Sequence, residues 1–321
     1  RMEAEEAEDD PLLALASTVH TPHARTDCAG GELPHISGPP TPQIFLHHFL
    51  LPSRPAVFTR CVAHWPALHL WTHAYLREAL GEQLVHVALT PDGLADAASL
   101  HARLPCGTQC FARPCEVTMP FSSLLAALES PSGGGRPVHY ASHQDSSLEA
   151  EFGALCADVE PSVRWADEAY GSRPAAANLW MGEDAARTSV HADLFDNLYV
   201  VVRGTKRFTL LPPQEGSLLG RRPYRSASWI LASEFPDGSD SECGFVLQPD
   251  TPAAYVPWTT LDLERDGASL QPIRATVRAG EMLYLPALWW HAVSQEADKG
   301  EGCDPSTIAV NYWYERPTVQ L

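Results

Sequence analysis

The sequence predicts a mainly β domain with helical additions, in which antiparallel sheets pack as a sandwich. Turn sequences such as Arg203-Gly-Thr205 and Arg278-Ala-Gly280 recur at the short intervals that antiparallel sheets require. The chain has 321 residues and 45% hydrophobic content, which is enough to bury a sizeable core. Seven short runs after residue 175 have the composition of strands, and they cover residues 176–181, 197–202, 206–211, 273–277, 281–285, 289–294 and 307–314.

The first part of the chain divides into a leader and a mixed α/β region. Residues 1–40 carry an acidic run and no apolar periodicity, so we expect a disordered leader. Residues 41–321 are expected to form one domain, with a mixed α/β part over 41–174 and the β core over 175–314. Within the mixed part, local patterns predict strands over 55–60, 83–89 and 138–142, helices over 71–80 and 121–128, and a loop over 101–119.

An insertion interrupts the predicted β core. It covers residues 212–253 approximately and is rich in Ser, Gly and Arg. Loops of this length in a compact domain usually serve a function, so we expect the insertion to lie over the mouth of a site.

Charge and cysteine content narrow the choice of partners. The 40 acidic and 22 basic residues give a net charge of -18, which disfavours nucleic acid and anionic membranes. No apolar run approaches the roughly 20 residues that span a bilayer. The 8 cysteines lack the Cys-x-x-Cys spacing of a zinc site, so we expect reduced thiols; zinc bound by Cys106, Cys110 and Cys115 is a lesser alternative. These features predict a cytoplasmic protein, with the nucleus as a second compartment.

Two amino-acid types are so scarce that each occurrence invites a functional explanation. Lysine occurs only at Lys206 and Lys299, and asparagine only at Asn178, Asn197 and Asn311. In a chain rich in Ala, Arg, Gly and Pro, this scarcity resembles a coding bias. A lysine or asparagine that is present is then more apt to have a role.

A histidine and an aspartate two residues apart form a candidate metal motif in Thr188-Ser-Val-His191-Ala-Asp193. On a strand both side chains point to one face. A chain with this many histidines and acids contains such a triplet about once or twice by chance, and His143-Gln-Asp145 is a second one in polar surroundings. The apolar segment that ends at His291 offers a third ligand for a two-histidine, one-carboxylate site. The alternative for His291 is a hydrogen-bonded core histidine.

Several longer segments occur in a distinctive order along the chain. They are Pro39-Pro-Thr-Pro42, His64-Trp-Pro-Ala-Leu68, Thr90-Pro-Asp-Gly93, Asn197-Leu-Tyr199, Gly204-Thr-Lys206, Val277-Arg-Ala-Gly-Glu-Met-Leu-Tyr-Leu-Pro-Ala-Leu-Trp-Trp-His291 and Ala309-Val-Asn-Tyr-Trp-Tyr314. With these segments the chain resembles the JmjC-domain 2-oxoglutarate oxygenases from about residue 41 to 314. Within that family the likeness is greatest to the small lysyl hydroxylases that act on developmentally regulated GTP-binding proteins. The resemblance implies a double-stranded β-helix, that is, a cupin-like jelly roll.

The resemblance implies roles for individual residues. His191, Asp193 and His291 correspond to the ligands of Fe(II). Lys206 corresponds to the lysine that pairs with the distal carboxylate of 2-oxoglutarate, and the hydroxyls of Thr188 and Tyr140 correspond to donors to the same end. Asn197 and Asn311 correspond to polar residues near the metal and the cosubstrate. Thr188 and His191 have opposite strand parity, so a bend must lie between them.

The resemblance also implies an activity, with alternatives. It predicts a protein hydroxylase that consumes O2 and 2-oxoglutarate, releases succinate and CO2, and acts on a lysine in a basic segment of a GTP-binding protein. An N-methyl-lysine demethylase and a non-catalytic metal-binding cupin are the alternatives. The acids nearest the motif in sequence, Glu183, Asp184 and Asp196, are candidates to hold the lysine ammonium. The oligomeric state stays open, although so few residues follow the last predicted strand that we expect no dimer built on carboxy-terminal helices.

Overall fold

Two large β-sheets face each other and enclose the centre of the molecule. The computed structural model describes residues 31–98, 102–104, 107–130, 136–234, 244–265 and 267–316. Eighteen strands lie in this part of the chain: β1 His35–Ser37, β2 Ala56–Thr59, β3 Leu84–Thr90, β4 Leu94–Ala95, β5 Phe111–Arg113, β6 Cys115–Pro120, β7 Val138–Ala141, β8 Ala176–Gly182, β9 Arg187–His191, β10 Asp196–Arg203, β11 Thr205–Leu211, β12 Arg222–Leu231, β13 Phe245–Pro249, β14 Tyr255–Trp258, β15 Ile273–Arg278, β16 Glu281–Leu285, β17 Trp290–Glu296 and β18 Thr307–Tyr314.

The strands form a jelly roll because the chain alternates between the two large sheets. One sheet has the order β1-β2-β16-β10-β18-β8-β7-β3-β6, and the other has the order β15-β11-β17-β9-β4. Consecutive strands β8, β9, β10 and β11, and again β15, β16, β17 and β18, fall in opposite sheets. The predicted fold class, mainly β with a cupin-like double-stranded β-helix, is confirmed.

Strand β10 shows why the centre of the larger sheet is so apolar. Tyr199 and Val201 point between the two sheets, where they pack with Phe208 of β11. Leu198 and Val200 point to the opposite face, into the larger hydrophobic cluster that includes the helices. Since both faces are covered, the strand is a continuous apolar run rather than an alternating one.

Helices cover the outer face of the nine-stranded sheet. A side chain caps the start of two of them: Thr41 accepts from the Ile44 amide, and Thr72 accepts from the Tyr75 amide. The α-helices are α1 Pro42–Phe45, which continues as a π-helical turn over Leu46–Leu50, α2 Ala67–Leu70, α3 His73–Leu80, α4 Phe121–Glu129, α5 Ser147–Ala150 and α6 Arg164–Tyr170. The 3-10 segments are Gly153–Asp158, Pro213–Leu219, Ala232–Glu234 and Gly267–Leu270. No helix in these described ranges is long and apolar enough to cross a membrane.

Most predicted elements are present, within one or two residues of their predicted ends. The seven strand runs after residue 175 correspond to β8, β10, β11, β15, β16, β17 and β18, and the two predicted helices correspond to α3 and α4. In the first part, the predicted strands correspond to β2, β3 and β7. These segments carry clear periodicity or clear terminal signals, which are local properties of the sequence.

Three boundaries differ from the predictions. The ordered chain begins before residue 41, because Leu33 is buried and β1 pairs in parallel with β2; residues 1–30 lie outside the described part. The predicted loop over 101–119 contains β5 and β6. The insertion over 212–253 contains β12 and β13, and together with β14 and β5 these form a third sheet. Its strands have mixed composition because they extend the fold at its edge.

Candidate active site

Three side chains converge at one end of the sandwich, in the arrangement of a metal centre. His191 ends β9, His291 is the second residue of β17, and the two residues are direct cross-strand partners. Asp193 follows β9, with its carboxylate oxygens 3.7 Å from Nε2 of His191 and 3.7 Å from Nε2 of His291. The potential ligand atoms of the three residues all lie within 4.8 Å of one another. Two imidazoles and one carboxylate are the donor set of a non-haem Fe(II) site.

Backbone carbonyls fix the orientation of both imidazoles. Nδ1 of His191 lies 2.9 Å from the carbonyl oxygen of Ser189, and Nδ1 of His291 lies 2.9 Å from that of Trp289. A carbonyl oxygen can only accept, so each Nδ1 carries the proton and each Nε2 presents its lone pair. Burial, together with the nearby His191, lowers the pKa of His291 to about 4 although Asp193 opposes this shift. The His291 ring is therefore a neutral ligand near pH 7.

An irregularity in β9 brings Thr188 to the same side as His191. Along β17, His291 and Val293 are two positions apart, whereas their partners on β9, His191 and Thr188, are three positions apart. The extra residue is a β-bulge, which reverses the alternation of side chains. The bend expected between Thr188 and His191 is therefore confirmed, and both Thr188 and His191 line the same cavity.

The cavity beside the three ligands has a volume of about 270 Å³. Its inner wall is formed by buried side chains, among them Tyr140, Asn197 and Tyr199. Its mouth includes two exposed acids, Asp96 and Glu116. The cavity therefore has the three potential ligands, two exposed acids and several buried side chains in one lining.

Lys206 lies behind the inner wall of the cavity, next to Tyr140, with its ammonium fully buried. The residue is 1% exposed, and Nζ donates to the hydroxyl of Tyr140 at 3.0 Å and to Oε1 of Gln295. Among the residues that the structure describes, no carboxylate forms a salt bridge with it, and burial lowers the pKa of Lys206 to about 7. A buried cation with only neutral partners is costly, so this position favours an anionic ligand.

Comparisons with known proteins agree with this geometry. A family model described as "Cupin-like domain" matches residues 42–319. Human "Bifunctional peptidase and (3S)-lysyl hydroxylase JMJD7" is 40% identical over 303 residues, which cover 91% of this chain and 87% of that protein. "Lysine-specific demethylase JMJ32" of Arabidopsis thaliana is 36% identical over 89% of this chain and 82% of its own length. "JmjC domain-containing protein E" of Dictyostelium discoideum is 35% identical over 86% and 82%.

The chain belongs to the cupin-like JmjC family of oxygenases. It is accordingly an enzyme of the 2-oxoglutarate-dependent class. The described residues suit the groups that such an oxygenase uses. The Nε2 lone pairs and the Asp193 carboxylate fit an Fe(II) ion, and the unpaired cation of Lys206 fits one carboxylate of a dicarboxylate.

The three asparagines of the chain form one hydrogen-bonded network behind the cavity. Nδ2 of Asn311 donates to Oδ1 of Asn197 at 3.1 Å, while Oδ1 of Asn311 accepts from Asn178 at 3.3 Å and from Nε1 of Trp180 at 2.9 Å. Asn197 lines the cavity, whereas Asn311 is fully buried next to it. Asn311 therefore orients Asn197 rather than facing the cavity. Asn178, for which the sequence alone indicated no role, completes the network.

Gln295 and Gly182 are parts of the site that the sequence analysis missed. Gln295 faces Lys206 across β11 and β17, and its Nε2 donates to the carbonyl oxygen of Glu183 at 2.6 Å. A Cβ atom on Gly182 would lie 2.6 Å from Cδ2 of Tyr140 and 2.9 Å from Nε2 of Gln295. Only glycine fits at this position, so Gly182, the last residue of β8, shapes the pocket around Lys206.

The acids nearest the metal motif in sequence do not face the cavity. Asp196 is fully buried and accepts from the Tyr170 hydroxyl, the Ala287 amide and Nε of Arg316. Glu183 binds Arg136 and the His139 amide. Asp184 accepts from the Ala297 amide. Proximity in sequence was misleading for all three, since each carboxylate is used to satisfy hydrogen-bond donors of the fold.

The alternative triplet, His143-Gln-Asp145, does not form a site of its own. Nδ1 of His143 contacts Oε1 of Glu151 instead. Asp145 adopts a left-handed conformation with φ of 75° and is exposed. Cys110 and Cys115 are both buried in the hydrophobic core, and Cys106 lies outside the described residues.

Proposed function

We propose that this enzyme binds Fe(II) and 2-oxoglutarate and hydroxylates a lysine side chain of a protein, with a GTP-binding protein as its substrate. The observation that carries the proposal is a three-ligand centre in a cavity whose wall residue Tyr140 is hydrogen-bonded to a buried cation, Lys206. His191, Asp193 and His291 would hold the iron. Lys206, with the hydroxyls of Tyr140 and Thr188, would hold the distal carboxylate of the cosubstrate.

When bound together, Fe(II) and 2-oxoglutarate supply the activation of O2 and the oxidation of a C–H bond, with release of succinate and CO2. The residues of the chain do the rest. Lys206 neutralises the cosubstrate charge inside the protein, and the Asn311–Asn197 hydrogen bond fixes an amide on the cavity wall. Burial raises the pKa of Tyr140 and Tyr199, so both hydroxyls stay neutral and can donate. The aromatic walls exclude water from the reacting groups.

The mouth of the cavity supports a cationic substrate. Asp96 and Glu116 both line it. Partial desolvation raises the pKa of the Asp96 carboxyl and the neighbouring Glu116 raises it further, whereas His191 and Arg113 lower it. A lysine ammonium beside the two carboxylates would relieve their repulsion and donate to both. The net charge of -18 would also attract a basic segment.

The position of these acids favours hydroxylation of the lysine stem over demethylation. In an N-methyl-lysine, the carbon that is oxidised is bonded directly to the charged nitrogen. In hydroxylation of the stem, several bonds separate the oxidised carbon from the ammonium. Two carboxylates that are not metal ligands could hold the ammonium while a carbon of the stem meets the three-ligand centre, which suits the second arrangement.

The indole of Trp313 supplies one further group for the substrate. Its ring lines the cavity and stacks on Phe195 with centroids 5.4 Å apart. Its Nε1 atom is buried and has no hydrogen-bond partner in the described part of the chain. A buried donor without a partner is costly, so we assign it to a carbonyl oxygen of the substrate.

Mass analysis of a lysine peptide tests the proposal. A peptide from a GTP-binding protein is incubated with enzyme, Fe(II), ascorbate and 2-oxoglutarate, and we expect the mass of one added oxygen on the lysine, together with succinate. Asp193→Ala is the inactive control. Loss of a methyl group from an N-methyl-lysine peptide, without oxygen gain on the unmodified peptide, would establish the demethylase instead. Metal binding without succinate formation would establish the non-catalytic cupin.

The acidic mouth has a separate test. The double change Asp96→Asn and Glu116→Gln should lower kcat/KM for the lysine peptide and reduce its dependence on salt, because the encounter loses two charges. Glu168→Gln removes an exposed charge on α6 and serves as the control. A kcat/KM in the double variant equal to that of the wild type would refute this binding site for the lysine and leave the proposed iron chemistry unaffected. We also propose the cytoplasm, with the nucleus as a second compartment; the thiols Cys61, Cys156 and Cys303, which form no disulfide within the described residues, are consistent with a reducing environment.

A further inference from the structure

A second group of potential metal ligands lies outside the centre described above. It consists of His86, His143 and Glu151, whose ligand atoms all lie within 4.8 Å of one another. Nδ1 of His86 is 3.1 Å from Oε1 of Glu151, and Nδ1 of His143 contacts the same oxygen. The two imidazole rings have centroids 4.6 Å apart and an interplanar angle of 37°. Two nitrogen atoms and one carboxylate oxygen therefore converge on a single point.

Three separate elements bring these side chains together. His86 lies on β3, His143 follows β7, and Glu151 immediately follows α5. The chain reverses between the last two through Asp145 and Ser146, which are consecutive left-handed residues with φ of 75° and 61°. Such a pair of non-glycine residues is uncommon, and it brings Glu151 back beside His143.

Hydrogen bonds hold the carboxylate of Glu151 in place before any ion arrives. The residue is 8% exposed, and its Oε2 accepts from the His86 amide at 2.7 Å, which directs Oε1 towards the two imidazoles. Helix α5 is attached to β8, because the Ser147 amide donates to Oδ1 of Asn178 and the Ser147 hydroxyl accepts from the Leu179 amide. The ligand set is thus preorganised by partners that do not themselves contact the ion.

We propose that His86, His143 and Glu151 form a second metal site, which binds Zn²⁺ with a water molecule as the fourth ligand. Two histidines and one carboxylate are an established donor set for this ion. Tetrahedral bonds of about 2.1 Å place ligand atoms about 3.4 Å apart, so the 3.1 Å between Nδ1 of His86 and Oε1 of Glu151 would lengthen slightly and the shorter His143 contact would lengthen more. Binding requires an unprotonated Nδ1 on each ring, so the proton that each Nδ1 donates to the carboxylate in the metal-free form would move to Nε2 of the same ring.

The site would connect metal binding to the mouth of the active-site cavity. His143 lines that cavity, as do its neighbours Ser142 and Gln144. An ion bound to Nδ1 of His143 would fix the ring and hold this part of the rim against β3. The second site is therefore structural in our proposal, and it acts on the access of the substrate rather than on the reacting atoms.

Counting bound zinc tests the proposal without measuring activity. The full chain is stripped with a chelator, loaded with Zn²⁺, passed through gel filtration and weighed by native mass spectrometry. The first centre has the same types of donor and is expected to take up Zn²⁺ as well. We therefore expect two ions in the wild type, one in Asp193→Ala, one in the double variant His86→Ala and His143→Ala, and none when all three changes are combined. His64→Ala removes an exposed histidine that pairs with Glu160, and it should leave two ions bound.

Two results would overturn the proposal. One is a single retained zinc in the folded wild type, and the other is two retained ions in the double histidine variant. Should that variant fail to fold, Glu151→Gln keeps the shape of the side chain and its contact with the His86 amide, and it should also retain a single ion. X-ray absorption at the zinc edge of Asp193→Ala should show two imidazole ligands, whereas one or none would exclude this site.

Discussion

Replacing Lys206 by methionine should make the free protein more stable and the enzyme worse at binding its cosubstrate. Methionine has a similar length and fills the same space without a charge. Lys206 is 1% exposed, so the substitution removes a buried ammonium whose described partners are the neutral Tyr140 and Gln295. The two effects have opposite signs because the charge serves the ligand and not the fold.

The gain in stability follows from the pKa of Lys206. Burial lowers this pKa from 10.5 to about 7, which corresponds to about 5 kcal/mol of free energy. Because the folded-state pKa lies below the unfolded one, this cost is fully present below pH 7, decreases between pH 7 and 10.5, and vanishes above that range. The lost hydrogen bonds to Tyr140 and Gln295 offset part of the gain, at about 1 kcal/mol each. Below pH 7 we expect a net gain of about 3 kcal/mol, or a Tm higher by about 4–5 °C.

The loss in cosubstrate binding is larger. A carboxylate left without its cation in a buried site costs about 2–5 kcal/mol, so the KM for 2-oxoglutarate should rise roughly 30-fold to several thousand-fold. Thermal melts at pH 6.5 and succinate formation at varied 2-oxoglutarate measure the two effects. Lys299→Met is the matched control, because Lys299 is the other lysine of the chain and its exposed ammonium pairs with Glu296. A methionine variant at position 206 that melts lower than the wild type and keeps its KM would refute the reasoning.

Three further predictions concern the same cavity. The affinity for 2-oxoglutarate should fall by up to tenfold per pH unit above pH 7, because Lys206 must take up a proton to bind the carboxylate. Calorimetry in buffers of different ionisation enthalpy measures the affinity and the number of protons taken up, and an affinity that does not change from pH 6.5 to 8.5 would contradict this prediction. Gly182→Ala should cost about 1–3 kcal/mol of stability and raise the KM for 2-oxoglutarate, since its Cβ would lie 2.6 Å from Tyr140; Gly153→Ala, with no neighbouring atom within 4 Å, is the control in thermal melts and succinate assays. Trp313→Phe removes the indole N–H together with part of the ring, so it should raise the KM for the peptide and leave the KM for 2-oxoglutarate unchanged. An unchanged peptide KM would exclude Trp313 as a substrate donor.

The metal centre could be predicted from the sequence because its geometry is encoded locally. His191 and Asp193 are two residues apart, and His291 lies on an apolar strand that had to enter the core. The only unknown was which strands are neighbours, and the resemblance to a family supplied it. The structure confirms that His191 and His291 are cross-strand partners. The sequence also predicted a bend between Thr188 and His191, because an unbroken strand would point the two side chains to opposite faces; the structure shows that this bend is a β-bulge.

The composition of the chain predicted more of the polar network than any motif did. The scarcity of asparagine singled out Asn178, Asn197 and Asn311, and all three are joined by hydrogen bonds behind the cavity. The role of Gln295 could not be predicted, because glutamine is not scarce in this chain and the end of strand β17 is polar. Its role depends on pairing with Lys206 across the sheet, which is a property of strand register and not of local sequence.

The acids of the cavity mouth could not be found by searching near the metal motif, because a long-range parallel pairing brings Asp96 there. Strand β4 runs alongside β9, with Leu94 opposite Arg187 and Ala95 opposite Thr188. The next residue is therefore carried towards His191, and the Ser189 hydroxyl donates to its backbone carbonyl at 2.7 Å. A strand of two residues gives no periodicity from which to infer this pairing. Two of the three ligands of the proposed iron centre, His191 and Asp193, are thus two residues apart in sequence, whereas the proposed selection of the substrate depends on a contact between segments more than ninety positions apart.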